Sequence, residues 1–450
     1  MKKIFQYIML AVVTIVMASC TSDIEETTTT TGKNNVQLVV GEFPAFGDSQ
    51  TRAIGTPDEG KTSWAEGDEL LLEMTSKTLG TKYAAFKYNG SSWELASGEL
   101  SYKEDEVPTF PHVYYAPNYK WEAGKLVLKE GKVAGTDEYI EGKANITPNG
   151  QAITVKFAEA TRNYSRLRIA TLPNEQITVD TEYFTPAGSS DMEQNGNYTL
   201  TSDEKGNAYL YGTFENNSEV TVKYREAALT TYTFSQATES AKSYALDATV
   251  ISANSAEEIK SAIKQKVADG KTTIRLNLAP NAGTDEFMAI REAIKGAAPN
   301  DEGTIELTII GVETIPEEAF KRMSQLKSVK MPDVKEIKNY AFSECQYLTV
   351  VEAPSLNKLN SGAFNECYLL SKLTFGPINY ADARYWPIFE DITPNIDFIL
   401  SDYQKEMIET DDDLYTANND IDYAFSPEHV SKNFLGHEFK SITCSRYRVE

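Results

Sequence analysis

The sequence predicts a mainly β protein with an α/β part: two antiparallel β-sandwich domains followed by a short solenoid of repeats with caps. Three observations predict this fold class. Apolar residues alternate with period two through residues 36–250, helix and strand patterns alternate through 251–308, and a 22-residue repeat occupies 309–376. The 450 residues are enough for about three domains.

The composition is that of an acidic globular protein. Lys and Arg total 43 against 66 Asp and Glu, which gives a formal net charge of −23. Because nucleic acids and anionic lipids attract basic surfaces, we expect no nucleic-acid partner and no electrostatic adhesion to membranes. Three histidines and four scattered cysteines predict no metal site and no disulfide scaffold. No nucleophile or metalloprotease motif occurs, so we predict no enzymatic activity and no cofactor.

Residues 1–19 have the pattern of a lipoprotein signal peptide. Two lysines precede an apolar stretch between residues 7 and 18 that is too short to span a bilayer comfortably. Small residues followed by Cys20 resemble the lipobox of bacterial lipoproteins, and this resemblance implies cleavage before Cys20 and diacylation of its thiol. The alternative is a secretory signal with an incidental cysteine. The polar, Thr-rich residues 20–35 predict a flexible tether.

Residues 36–250 carry the alternation expected of half-buried strands. Apolar side chains alternate from Val36 to Val40, and again from Ile153 to Phe157. Asn89-Gly90 suits the type I′ turn of a β-hairpin. The length predicts two antiparallel sandwiches, at 36–150 and 151–250.

Six segments of this half carry a resemblance to a known family. They are Thr51-Arg52-Ala53, Trp64 to Leu70, Val113 to Pro117, Asp137 to Ala144, Ile153 to Phe157 and Arg166 to Ile169. In this order and spacing they resemble the fimbrillin family of Bacteroidetes fimbrial and surface proteins. The resemblance implies a two-domain β-sandwich adhesin or pilus subunit. It also implies that a protease can cut after Arg52 to release an N-terminal strand; the alternative is that Arg52 is an ordinary loop residue.

The hydrophobic period changes in residues 251–308. Ser255 begins a capping box, Ile259 and Ile263 share the face of the helix that follows, and Gly270 ends it. A strand over 272–278, a second helix over 285–295 ended by Gly296, and a strand near 305–309 follow. This alternation predicts an α/β cap that leads into a parallel sheet.

The repeat at 309–376 is the strongest structural signal. Phe320, Phe342 and Phe364 are 22 residues apart, and each follows an alanine. Each unit predicts a short strand, a turn and a short helix around the Ala-Phe pair, stacked on its neighbours to form a core. The pattern resembles the BspA-type leucine-rich repeat, which is common in bacterial surface adhesins. Residues 377–450 then predict a C-terminal cap.

The repeat also predicts which side chains face outward. Val329, Val351 and Leu373 should point inward, so their strand neighbours should line the exposed sheet: Ser328, Lys330, Val350, Glu352, Lys372 and Thr374. This is the default ligand face of such repeats, and the alternative is a solvated sheet that binds nothing. Cys345 and Cys367 occupy the same position in successive repeats, which we call one column, and either a disulfide or two buried thiols would fit there.

Together these features predict a surface-exposed lipoprotein adhesin, either stand-alone or an accessory or terminal fimbrial subunit, held in the outer membrane by its lipid. Its partners would be host or bacterial surface proteins or glycans, and fimbrial subunits if it joins a fimbrium. A shaft role fits less well, because the C-terminus is occupied by the repeats. The alternative is a surface glycan-binding lipoprotein for nutrient capture.

Overall fold

A computed structural model of the chain describes residues 37–44, 46, 61–103, 106–146, 152–225, 227–253, 255–383, 385–402, 409–410 and 433–444. Cys20, Arg52, the predicted signal peptide and the tether lie outside the described residues. Within them the chain is mainly β, with two α-helices and a repeat region. No helix in the described ranges is long and apolar enough to cross a membrane.

Residues 37–161 form one mixed sheet and a small hairpin. The strands are β1 (Gln37–Val40), β2 (Glu69–Ser76), β3 (Gly80–Tyr88), β4 (Trp93–Gly98), β5 (Thr109–Tyr115), β6 (Tyr119–Glu122), β7 (Lys125–Leu128), β8 (Ile140–Ile146) and β9 (Ala152–Thr161). The sheet order is β1-β9-β8-β5-β2-β3-β4, and its two edge strands β1 and β4 contact each other. The sheet therefore curls around a core that includes Leu70, Leu72 and Phe86, and the β6–β7 hairpin contacts β3.

Residues 165–247 form a second sheet. Its strands are β10 (Ser165–Ala170), β11 (Gln176–Pro186), β12 (Glu193–Thr201), β13 (Asn207–Phe214), β14 (Glu219–Tyr224), β15 (Ala227–Thr233) and β16 (Ser243–Asp247). Along one side, β11 pairs first with β14 and then with β13, while β12 pairs with it on the other. Between these pairings Tyr183 adopts a φ of 48°, a conformation that bends the strand. The bend folds the sheet around one apolar core.

Three details differ from the predicted sandwiches. Seven of the nine strands of the first unit are hydrogen-bonded into one curled sheet. The change of sheet falls between Thr161 and Ser165 instead of at 150/151, because β9 pairs with β1 and β8. Two pairs, β1–β9 and β10–β16, run parallel where the sequence predicted antiparallel strands. The alternating pattern reports which side chains are buried and carries no information on strand order.

A buried polar network joins the two sheets. The Arg162 guanidinium pairs with Glu138 at 3.1 Å, with both side chains about 95% buried (4% and 5% exposed). The Tyr164 hydroxyl donates to the same carboxylate at 2.7 Å. The ring of Phe46 lies under Arg162, 4.1 Å from ring centre to guanidinium carbon. Because each charge here is paired and hydrogen-bonded, burial of the network is tolerated.

The C-terminal part begins with two helices and three strands: β17 (Ile251–Ala253), α1 (Ala256–Ala268), β18 (Thr273–Leu278), α2 (Thr284–Ala297) and β19 (Ile305–Ile310). Ser255 caps α1 as predicted, accepting from the backbone N–H of Glu258. Gly296 was expected to end the second helix, but α2 runs one residue past it. The two helices contact each other and bury one face each in the core of the repeats.

The repeats continue as short strands in two parallel sheets. They are β20 (Thr314–Ile315), β21 (Leu326–Lys330), β22 (Glu336–Ile337), β23 (Val350–Ala353), β24 (Lys358–Leu359), β25 (Lys372–Phe375), β26 (Tyr380–Ala381), β27 (Asp397–Leu400) and β28 (Glu409–Thr410), with β31 (Ser441–Cys444) after a separate antiparallel pair, β29 (Asn433–Phe434) and β30 (His437–Glu438). The larger sheet has the order β17-β18-β19-β21-β23-β25-β27-β31, and the smaller has β20-β22-β24-β26-β28.

Stacked phenylalanines form the centre of the repeats. Phe320, Phe342 and Phe364 are fully buried, with ring centres 5.2 and 5.4 Å apart in successive coils. The backbone N–H of each ring-bearing residue donates to a carbonyl of the next coil. The 22-residue spacing therefore corresponds to one coil per repeat, because each coil alone would leave its ring exposed.

The coils extend beyond the predicted repeats into the predicted C-terminal cap. Phe389 stacks on Phe364 at 5.8 Å, and Phe398 pairs in register with Leu373. These residues continue the two columns at a spacing of 25 instead of 22. The longer spacing ends the sequence period, but the rings and strands of this coil still stack on the preceding one.

Candidate binding face

The larger parallel sheet presents two outward rows of side chains, and each of its strands except β17 contributes one residue to each row. Strand register aligns the first row as Thr273, Glu306, Ser328, Val350, Lys372, Asp397 and Ser441. The second row is Arg275, Thr308, Lys330, Glu352, Thr374, Ile399 and Thr443. Because side chains alternate across a strand, the residues between the rows point into the core. We call these fourteen positions the outward rows.

All six residues predicted for the ligand face lie on the outward rows. In the middle coils, Ser328, Val350 and Lys372 occupy the first row, and Lys330, Glu352 and Thr374 occupy the second. Each is at least partly exposed, whereas the residues between them are fully buried. The structure thus brings all six together on one surface.

Sequence reasoning missed the ends of the rows. The preceding strands β18 and β19 were recognised but assigned to a cap, although their alternation carried the signal. After the third repeat, the longer spacing hid Asp397 and Ile399.

Charges on this surface are mostly paired between coils. Lys330 lies 3.3 Å from Glu352, Lys327 lies 2.8 Å from Glu306, and Lys440 lies 3.0 Å from Asp397. Hydrogen bonds from Ser441 and Lys440 hold the pKa of Asp397 below its ordinary value. Exposed pairs of this kind contribute about 0–1 kcal/mol each to stability. Their effect is to leave the middle of the face polar and nearly neutral.

The two cysteines in one column are buried thiols in this structure. The Cys345 thiol donates to the carbonyl of Phe320 at 3.0 Å, and the Cys367 thiol donates to the carbonyl of Phe342 at 3.2 Å. Burial raises the pKa of Cys345 to about 12 and that of Cys367 well above its ordinary value. Thiols held in this form are poor nucleophiles and poor metal ligands.

The first end of the face meets the second sheet. The Arg275 guanidinium donates from Nε to the carbonyl of Leu229 in β15 at 2.6 Å. Ile310, at the end of β19, packs in the core of the second sheet. A cavity of about 270 Å³ lies between β15 and the outward rows at this end. Nowhere in the described ranges are three His, Cys, Asp or Glu side chains arranged to hold a metal ion.

Comparison with known proteins identifies the repeats. Residues 304–387 match the model of the BspA type leucine rich repeat region, in six copies. This part of the chain is a BspA-type leucine-rich repeat region. No curated protein and no solved structure matches the chain.

Proposed function

We propose that this protein is a surface-exposed lipoprotein adhesin that binds protein or glycan partners through the outward rows. The observation that carries the proposal is the BspA-type repeat region, which is consistent with a surface adhesion or binding role. The outward rows support it, because within the described residues their side chains in the middle coils are at least partly exposed and a partner can reach them. Three or four coils make a small interface, so binding gains from several copies on one cell.

We further propose that the N-terminal half is fimbrillin-like and that the protein acts alone or as an accessory or terminal fimbrial subunit. The position of β1 supports this part. It is an edge strand that pairs only with β9 among the described strands, and the same segment buries Leu38 and Phe43 in the first core. Cleavage after Arg52 would free this segment and leave a groove for another strand.

The proposed location is the outer membrane, with the chain anchored through acyl groups on Cys20 and facing the cell surface or a fimbrium. Two or more acyl chains anchor a protein stably, whereas one is marginal. We propose no enzymatic activity and no cofactor. The outward rows are rich in Ser and Thr hydroxyls, which also suits a glycan partner, so the second candidate is a surface glycan-binding lipoprotein for nutrient capture.

The location and processing are tested on intact cells. Protease shaving and mass spectrometry of sheared material should release the repeats from the surface while the lipidated N-terminus stays with the membrane. Recovery in high-molecular-weight filaments with a new N-terminus at Ala53 would support a fimbrial subunit cut after Arg52. If shaving leaves the protein intact, it faces the periplasm and the adhesin proposal fails.

The binding surface is tested by charge substitution. Val350→Glu combined with Lys372→Glu adds two acidic groups and removes one cation in the middle of the first row. We expect it to abolish attachment of cells to host or bacterial surfaces. Lys125→Glu, on the exposed β6–β7 hairpin, is the matched control and should attach normally. Equal attachment by both variants would show that the outward rows do not bind the partner, and retention of one purified polysaccharide would favour nutrient capture.

A further inference from the structure

The cavity at the first end of the outward rows, the end formed by β18, has walls from two parts of the fold. Its wall on one side is Ala228 to Thr231 of β15, and on the other it is the outward side chains of β18, β19 and β21. Hydroxyl groups dominate its polar lining: Thr230, Thr231, Thr273, Thr308 and Ser328. A cavity of about 270 Å³ is at the small end of ligand pockets, so it has room for one sugar ring but not for a folded partner.

Arg275 is the buried charge of this cavity. Only 7% of the residue is exposed, and it forms part of the lining. Its one hydrogen bond to described residues runs from Nε to Leu229. Its Nη–H donors therefore have no acceptor in the described part of the chain. These Nη atoms are not among the fully buried, unpaired side-chain atoms of the described residues, so they keep some solvent access and a ligand in the cavity can reach them.

The charge balance of the cavity favours an anionic ligand. Two other charged residues line it, and both are engaged outside: Glu306 by Lys327 and Lys330 by Glu352. Arg275 forms no ion pair with a described carboxylate, although Asp247 and Glu306 act on it at longer range. Burial lowers the pKa of Arg275. Arg275 is thus the charge in the lining that has no direct ion pair with a described residue, while the nearby Glu306 disfavours a doubly charged ligand such as a phosphate monoester.

We propose that this cavity binds the carboxylate of an acidic sugar, a uronic acid residue, through the Nη–H donors of Arg275. Arginine matches a carboxylate with two parallel hydrogen bonds, which gives both energy and orientation. The surrounding hydroxyls then pair with the hydroxyls of the sugar. The biological role of the site rests on the proposed function, because it places an acidic glycan at one end of the adhesive face; the binding itself does not.

Titration calorimetry of the full chain with sodium D-glucuronate tests the inference, with D-glucose, acetate and glucose 6-phosphate as further probes. We expect saturable binding of glucuronate, at least tenfold weaker binding of each other probe, and at least a tenfold loss in Arg275→Gln. Arg322→Gln is the matched control, since this arginine is exposed and paired with Glu344 away from the cavity. It should bind glucuronate normally.

A second variant keeps the test valid if Arg275→Gln misfolds. Ser328→Leu fills the cavity from a partly exposed position, so it should fold and weaken glucuronate binding even if Arg275→Gln does not fold. Absence of glucuronate binding by the wild-type chain overturns the inference, as does binding that neither variant weakens. Equal affinity for acetate refutes the sugar, and equal affinity for glucose refutes the carboxylate. Normal glucuronate binding in a chain that fails to attach to cells would refute the proposed function alone.

Discussion

The stacked phenylalanines allow a quantitative test of how the coils hold together. Phe342 is fully buried between Phe320 and Phe364, with ring centres 5.2 and 5.4 Å away. Phe342→Ala leaves a cavity of roughly 100 Å³, which costs about 2.4 kcal/mol at about 24 cal/mol per Å³. Lost transfer of the ring from water adds about 2 kcal/mol. We therefore expect the free energy of local opening to fall by about 4 kcal/mol.

The loss should spread to both neighbouring coils. Each coil is stable only because it covers the next, so stability in a repeat array is set by nearest-neighbour interfaces. Hydrogen exchange followed by mass spectrometry measures this, because it reports the opening free energy of each segment in the intact chain. Peptides within 326–375 should exchange faster in the variant, and peptides within β2 and β3 serve as an internal reference.

Tyr368→Ala is the control substitution in the same array. Its side chain is 45% exposed, so we expect a change below about 0.5 kcal/mol. Two results would refute the reasoning: a loss under about 1 kcal/mol in Phe342→Ala, or a loss confined to the coil that carries residue 342. The first would mean that the rings do not form the core, and the second that the coils are energetically independent.

Two further predictions concern buried ionisable groups. The pKa of Cys345 is about 12 in the folded state against 9.0 for an ordinary thiol, so the folded protein holds this proton more tightly and stability falls as pH rises above 9. Urea unfolding should show the wild type losing about 2 kcal/mol more than Cys345→Ala between pH 8.5 and pH 10.5; equal losses would contradict the burial of this thiol. Glu138→Gln leaves Arg162 buried beside a neutral amide and should destabilise the chain by about 3 kcal/mol. Glu99→Gln removes one partner of an exposed ion pair and should lower the free energy of unfolding by less than about 1 kcal/mol. Similar losses of stability in the two variants would show that the Arg162–Glu138 pair is solvated.

The repeat region shows how far periodicity reaches. A strict 22-residue spacing means one coil per repeat, and this alone places Ser328, Val350 and Lys372 in one row. The spacing changes after the third repeat, and Asp397, which continues the row after a longer coil, was therefore not predicted. Spacing identifies columns only while each coil has the same length.

The cavity at Arg275 could not be predicted from the sequence, for a different reason. Its two walls come from β15 and β18, which belong to different sheets and are more than forty residues apart in the chain. Nothing in the alternating pattern of either strand indicates which surface it will face. The predicted and observed sites therefore share the outward rows and differ at the end where the second sheet meets them.

By itself, the sequence determined the local structure: the alternating strands, the capped helix at Ser255, the 22-residue coil and the side of each strand that is buried. These follow from short-range geometry and from the need to bury apolar side chains. Tertiary structure alone decided the parallel pairing of β1 with β9, the bend of β11 and the cavity around Arg275. It also decided the hydrogen bonds that the Cys345 and Cys367 thiols donate to backbone carbonyls. Each depends on residues distant in sequence, whose contacts are selected by packing of the whole chain.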